Sequence, residues 1–207
     1  MARRTKEDAD ATRNSLLDAA ELVFYEKGVA RASLNDIAQA AGATRGAIYW
    51  HFKDKLDLFN AMMDRVTLPL EQATEDDDFA AGLPPLERLR RLIDFVQRSI
   101  AHDERTRRVF EIAMYRIEYV NDLADVRDRH IEGCAGFQSQ IERFVREAAE
   151  QYQVALPMDP ATAAIGLRAI FEGLMQAWLL SHSSFNLVAV SQVSVDTYLK
   201  GLGFRVE

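Results

Sequence analysis

Cysteine is nearly absent from this chain: Cys134 is the single one among 207 residues. That excludes an intrachain disulfide and points to a reducing compartment. Histidine is scarce as well. His51, His102, His130 and His182 are scattered without metal-ligand spacing, and no nucleophile elbow, phosphate loop or dinucleotide fingerprint accompanies them. Ser181-His182-Ser183-Ser184 places hydroxyls beside an imidazole, but sequence neighbours rarely face each other, and a helix cap accounts for them better. The expectation is a protein with no catalysis, no metal and no cofactor. No apolar run reaches the roughly 18 residues of a membrane span. The opening MARRTKEDAD turns acidic where a signal peptide would turn apolar. A soluble cytoplasmic protein with no membrane partner is expected. Sustained period-2 alternation is missing too, and with it any expectation of strands.

What is present is an ordinary globular composition, 48% hydrophobic and 28% charged, with enough apolar residues for a real core. The net charge of −7 has the wrong sign for a polyanion partner, but its distribution matters more than its sum. Residues 1–55 carry 9 Lys and Arg against 8 Asp and Glu, whereas the remainder carries 16 against 24. Only the front quarter can approach a nucleic acid, and its positive groups must then share a face. Arg3, Arg4 and Lys6 read either as a basic arm or as a polar tail.

Helical periodicity runs through almost the whole chain. Leu16, Ala20, Val23 and Phe24 follow it up to Gly28, a helix stop. SLNDIAQAAG opens with Ser33 and Asp36 at capping-box spacing and stops at Gly42. Thr44 caps the next helix and Asp54 the one after, which Pro69 is expected to kink or end. EDDD at 75–78, followed by AGLPP, reads as a solvated loop. Further helical tracts fall at roughly 85–101, 104–119, 122–152, 160–181 and 187–203. The predicted class is all-α.

Two short helices joined by a glycine turn suggest a helix-turn-helix. Ala38 lies on the inner face of the first helix, Gly42 opens the turn, and Ile48 points back inward. An ordinary helical hairpin would share that turn, so the outer face decides. TRGAIYWHF, residues 44–52, puts Arg45, Gly46, Tyr49 and Trp50 where a solvated face would carry Glu, Lys and Gln. Such a helix enters a major groove with Arg45 reaching a base edge, most naturally guanine O6 and N7. Gly46 lets the backbone approach. Tyr49 and His51 are expected to bond phosphates, joined by Ser33, Thr44 and Lys55 from helix starts whose free N–H groups favour anions. Trp50 either packs against the first or fourth helix or belongs to this face, and His51 has the further option of capping the helix end.

These residues carry a resemblance. GVARASLNDIAQAAGATRGAIYWHFKDKLDLF is similar to the N-terminal domain of the TetR family of bacterial one-component repressors, over about residues 10–65. Within that family it looks most like the branch that represses multidrug-efflux operons. Residues 66–207 resemble it more weakly, through ERTRR at 104–108 and FEGLMQAWLL at 171–180. The resemblance implies a three-helix DNA-reading domain, residues 1–55, and a larger helical ligand-binding and dimerisation domain, residues 56–207. It implies a pseudo-palindromic double-stranded operator, a small hydrophobic or amphipathic inducer, and a homodimer built on the last two long helices. By motif position, Ser33, Thr44, Arg45, Gly46, Tyr49, His51 and Lys55 carry over as DNA contacts. Ala47 departs from members with a polar base-reader there, so the operator sequence is not legible. A regulator of fatty-acid or other metabolic genes with the same fold is the alternative.

In the back domain, tracts 160–181 and 187–203 are apolar over wide arcs, which calls for burial on more than one face. One face can meet the chain's own core and the other a second copy; two helices wholly internal to a monomer would read the same. Leu92, Ile93, Val96, Phe110, Met114, Phe137, Ile141 and Phe171 correspond to cavity linings in the efflux branch, while by sequence alone each is equally a core residue. Arg168 and Glu172, at i and i+4 among apolar neighbours, form either a surface ion pair or a handle for a polar group in an apolar pocket. Glu111 is a weaker candidate of that kind.

Overall fold

The computed structural model describes residues 6–75, 79, 81–117 and 124–206, apart from the side chains of 75 and 124–134. Arg3, Arg4, most of the EDDD loop, the end of the 104–119 tract, the start of the 122–152 tract and the side chains of His130 and Cys134 lie outside the described residues. Within them the elements are all helices: α1 (Lys6–Lys27), α2 (Leu34–Ala40), α3 (Arg45–His51), α4 (Lys55–Glu75), α5 (Pro85–His102), α6 (Glu104–Tyr115), α7 (Ala124–Tyr152), α8 (Pro160–Leu180) and α9 (Leu187–Gly201). By packing, the chain divides into two compact units, Met1–Pro69 with Arg105–Arg129, and Leu70–Glu104 with His130–Glu207.

Local chemistry sets the helix boundaries of the first unit. Gly28 and Gly42 close α1 and α2 at φ +79° and +63°, a region in which a Cβ is strained. Ser33 and Asp36 form the expected capping box on α2, and the Thr44 hydroxyl caps α3 by accepting from Ala47 N at 3.1 Å. Asp54 accepts from Asp57 N at 2.8 Å while Asp57 accepts from Lys53 N at 2.9 Å, so α4 starts on a reciprocal pair. Pro69 does not end α4, which continues to Glu75. A proline at that position removes one bond, to the Arg65 carbonyl, and a 21-residue helix keeps the rest. The core gathers Leu16, Phe24, Ile37, Ile48, Phe59 and Met62, all at most 1% exposed. Val109 and Ile112 of α6 join the same cluster. By packing, therefore, the N-terminal unit extends past residue 55 and takes in both most of α4 and α6.

The second unit is organised around α9, which packs on α5 and on α8. The α8–α9 crossing depends on Gly166. A Cβ there would stand 2.1 Å from the Tyr198 hydroxyl oxygen, a group that donates to the Ala163 carbonyl at 3.3 Å. Burial raises the Tyr198 pKa above its ordinary value. The sequence reading that no run is long enough to span a membrane needs correcting at α8: Pro160–Leu180 reaches a mean hydropathy of 1.3 and is long and apolar enough by length and composition. Its inner face explains the greasiness, since Ala163, Ala164, Leu167, Phe171 and Met175 are all buried. Ile165 and Leu180 remain 50% and 63% exposed, and on α9 Val190 and Val193 are 37% and 68% exposed.

Candidate nucleic-acid interface

Helix α3 is anchored by Ile48, keeps Ala47 and His51 half-buried with the His51 Nε2 atom inside, and presents its remaining side chains. Ile48 is fully buried, as a locking residue between α1 and α2 must be. Arg45, Gly46, Tyr49 and Trp50 face outward, with Tyr49 50% and Trp50 72% exposed. Of the two options for Trp50, the structure takes the outer one: the indole does not pack into the core. Sequence alone left this open because a tryptophan pointing away from Ile48 can still reach a neighbouring helix, and the chain order does not say which helices flank it. The Arg45 guanidinium lies 5.7 Å from the Tyr49 ring centroid, and Trp50 meets His51 edge-on at 4.5 Å. These contacts order a basic and aromatic surface one and a half turns long. Arg13 of α1 stacks over Phe52 at 5.3 Å, a cation that the sequence reading did not single out.

The seven candidate contacts are not equally available. Thr44 uses its oxygen as an acceptor for the cap, which leaves its hydroxyl hydrogen for a phosphate. A Cβ at Gly46 would meet nothing closer than Thr44 Oγ1, at 3.9 Å, so internal crowding does not require the glycine. Ser33 is different. Its hydroxyl donates to Asp36 Oδ2 at 2.6 Å and its backbone N–H to the same oxygen at 3.0 Å. Hydrogen bonds from Ser33, then the Lys27 ammonium at 3.0 Å, hold the Asp36 carboxyl down at about 2. A permanent anion thus sits where a phosphate was expected. Lys55 is likewise committed: its ammonium donates to the carbonyls of Val29, Ala30 and Ala32 at 2.7, 3.0 and 3.0 Å. An ammonium has three donors, and all three clamp the α1–α2 loop to the start of α4. Ser33 and Lys55 therefore hold partners inside the protein, and each also stands at a helix start whose backbone N–H groups favour an anion.

A second feature escaped the sequence reading. Glu21 of α1 is 3% exposed and bonds Arg108 at 2.7 Å, with Arg65 and Arg105 each at 3.4 Å. Asp18, one turn earlier, takes Arg65 at 2.8 Å and Arg105 at 2.9 Å. Three helices of the N-terminal unit are thereby tied to one another. Partners 44 to 87 residues away leave no local signal.

The cavity candidates divide between the units. Leu92, Ile93, Val96, Ile141 and Phe171 are at most 9% exposed in the second unit, and the Phe137 ring lies 5.0 Å from Phe171. Phe110 and Met114 belong to the first unit, where Phe110 packs against its core. Arg168 and Glu172 form the i, i+4 ion pair at 3.2 Å, with side chains 28% and 38% exposed. Glu111 pairs loosely with Arg116 at 3.9 Å.

The sequence profile of the bacterial regulatory proteins of the tetR family matches residues 16–62, and that of the MAATS-type transcriptional repressor C-terminal region matches residues 84–204. The chain belongs to the TetR family. Its N-terminal unit is therefore a helix-turn-helix DNA-binding head, and the protein is a transcriptional regulator of the repressor type. The HTH-type transcriptional regulator TtgR of Pseudomonas putida is 37% identical over 202 residues, covering 96% of this chain and 95% of that protein. NalD, the secondary repressor of the MexAB-OprM multidrug efflux pump in Pseudomonas aeruginosa, superposes with a TM-score of 0.85 at 34% identity, covering 94% of this chain and 98% of that one. A complex of SmeT with triclosan matches with a TM-score of 0.80 at 32% identity, covering 92% and 91%. These TetR relatives are regulators rather than enzymes.

Proposed function

We propose that this TetR regulator represses a multidrug-efflux operon in the cytoplasm, binding a pseudo-palindromic operator as a homodimer and leaving it when a hydrophobic or amphipathic ligand binds. The observation that carries the DNA half is the outward Arg45–Tyr49–Trp50 surface on a helix locked by Ile48. Residues 1–55 read DNA in this account and residues 56–207 take the ligand and pair the copies. Arg45 reads a base edge, Gly46 allows close approach, and Ser33, Thr44, Tyr49, His51 and Lys55 meet the backbone.

Pairing rests on the exposed apolar side chains of α8 and α9, Ile165, Leu180, Val190 and Val193, whose exposure is costly in a monomer. Two-fold pairing spaces two recognition helices about 34 Å apart, the repeat of the major groove. Efflux control is supported by the efflux-pump repressor NalD at 34% identity. A ligand is supported by SmeT, which is described with triclosan. The pocket is assigned to Leu92, Ile93, Val96, Phe137, Ile141 and Phe171, with Arg168 and Glu172 orienting a polar group. Ligand binding must favour a dimer whose recognition helices are wrongly spaced, with α4 as the lever. A coupling of about 1–3 kcal/mol lowers operator occupancy several-fold or more.

A mobility-shift titration on the DNA upstream of the gene tests the reading. The wild-type chain should bind specifically as a dimer, and Arg45→Ala should weaken it by about 1–3 kcal/mol and blur one base position. No shift at low salt without effector refutes DNA control. A drug-like ligand that binds without releasing the operator refutes the switch alone.

A further inference from the structure

Helices α5 and α9 run antiparallel along a polar seam inside the second unit. Arg90 donates to Asp196 at 3.0 Å, and Gln192 donates to Asp94 at 2.8 Å one step along. Together with Gln97 and Ser191 these residues line a partly open cleft with about 20 Å³ of space for water, bordered also by Ile93, Val188 and Val195. Gln97 is 0% and Ser191 2% exposed, yet Gln97 Oε1 and Ser191 Oγ have no hydrogen-bond partner in the protein. Asp196 Oδ1, on the same wall, has none either. The Gln97 amide nitrogen stands 3.5 Å from the Phe171 carbonyl oxygen, a long hydrogen bond, which leaves the amide oxygen without one. Buried polar groups left unsatisfied in this manner are rare and call for an occupant.

We propose that this cavity binds one water molecule, which donates to Gln97 Oε1 and Asp196 Oδ1, accepts from the Ser191 hydroxyl, and ties α9 to α5. Size and charge both select water. About 10–15 Å³ suffices for one molecule, so the space is too small for a drug-sized group. A cation is not called for. Asp196 is already paired with Arg90, and Asp94 with Arg98 at 2.6 Å; the Arg90 guanidinium itself borders the site and repels a second positive charge. Three oxygens, one of them a hydroxyl with a proton to give, match a molecule with two donors and an acceptor. Such a tie fixes the register of α9, since sliding α9 along α5 would strand all three oxygens.

A crystal structure of the full chain to better than about 2 Å should show one density peak within about 2.6–3.2 Å of Gln97 Oε1 and Ser191 Oγ. Direct bonding of the two side chains with no peak overturns the proposal. So does a peak at about 2.3–2.6 Å from several oxygens, the spacing of a hard cation. In solution, magnetic relaxation dispersion should count one long-lived water fewer in Ser191→Val than in the wild type, with Ser191→Ala as a gentler variant. An unchanged count in a folded variant overturns it. Thermal melts add a third reading. Ser191→Ala and Gln97→Leu should each lower Tm by a few degrees and the double variant by less than their sum, because removing every polar partner also removes the need for the water. Strictly additive losses count against the shared molecule.

Discussion

Substitution of Glu21 by alanine is expected to loosen the DNA-binding head. The carboxylate is 3% exposed and faces Arg65, Arg105 and Arg108, whose side chains are 19%, 48% and 24% exposed. Removing one partner of a fully buried charge pair costs about 3–5 kcal/mol. Here Asp18 still holds Arg65 and Arg105, and the arginines keep some solvent, so about 2–4 kcal/mol is the reasoned loss. For a chain of this length 1 kcal/mol moves Tm by about 2–4 °C, so a fall of about 4–16 °C should appear in a far-ultraviolet melt at pH 7. Glu21→Gln keeps the shape and an acceptor, and should fall between Ala and wild type. Salt discriminates the cause: a buried pair is little screened, so more than half of the loss should persist at 0.5 M NaCl. A melt of Glu21→Ala within about 1 °C of wild type, or a loss that vanishes in salt, refutes the idea that this carboxylate organises α1, α4 and α6.

Three other perturbations bear on separate parts of the molecule. Lys55→Met keeps the apolar stem and deletes three hydrogen bonds to carbonyls; it should cost about 2 kcal/mol in a denaturant titration, whereas unchanged stability with uniformly weaker DNA binding would make the lysine a phosphate contact alone. Gly166→Ala drives a methyl into Tyr198 and should cost about 1–3 kcal/mol. Adding Tyr198→Ala should then cost less than it does in the wild-type background, and a full second loss in a melt would show that the two do not collide. Asp36 titrates near 2 rather than 3.8. A folded pKa below the unfolded one adds stability above about pH 4 that is lost as pH falls through about 2. Carbon-detected NMR should place its midpoint there, and Ser33→Ala should raise it more than Lys27→Ala does.

Much of the fold was written in local chemistry. The Ser33–Asp36 box, the Thr44 and Asp54 caps and the glycines at 28 and 42 each act within four residues, so spacing in the chain is enough to set α1 to α4 and the rotation that buries Ile48. Family resemblance gave the family and the helical fold of the head for the same reason: its motif is a run of neighbours. Partnerships across the fold were illegible. Nothing along the chain announces that Lys55 bonds the carbonyls of Val29, Ala30 and Ala32, and nothing near Glu21 announces three arginines on two other helices. Phe110 reads like Phe171 in one dimension, yet the two belong to different compact units.

The sequence by itself therefore determined helix identity, the turn and the exposed Arg45–Tyr49 face, because propensity, capping and periodicity depend on residues a turn or less apart. Tertiary structure alone decided which carbonyls and carboxylates the cations of the head meet, whether Trp50 packs on a neighbouring helix, and which buried oxygens of α5 and α9 lack a protein partner. Those outcomes depend on what a side chain meets across the core, and a hydrogen bond reaches only about 3 Å, a distance that the order of residues along the chain does not measure.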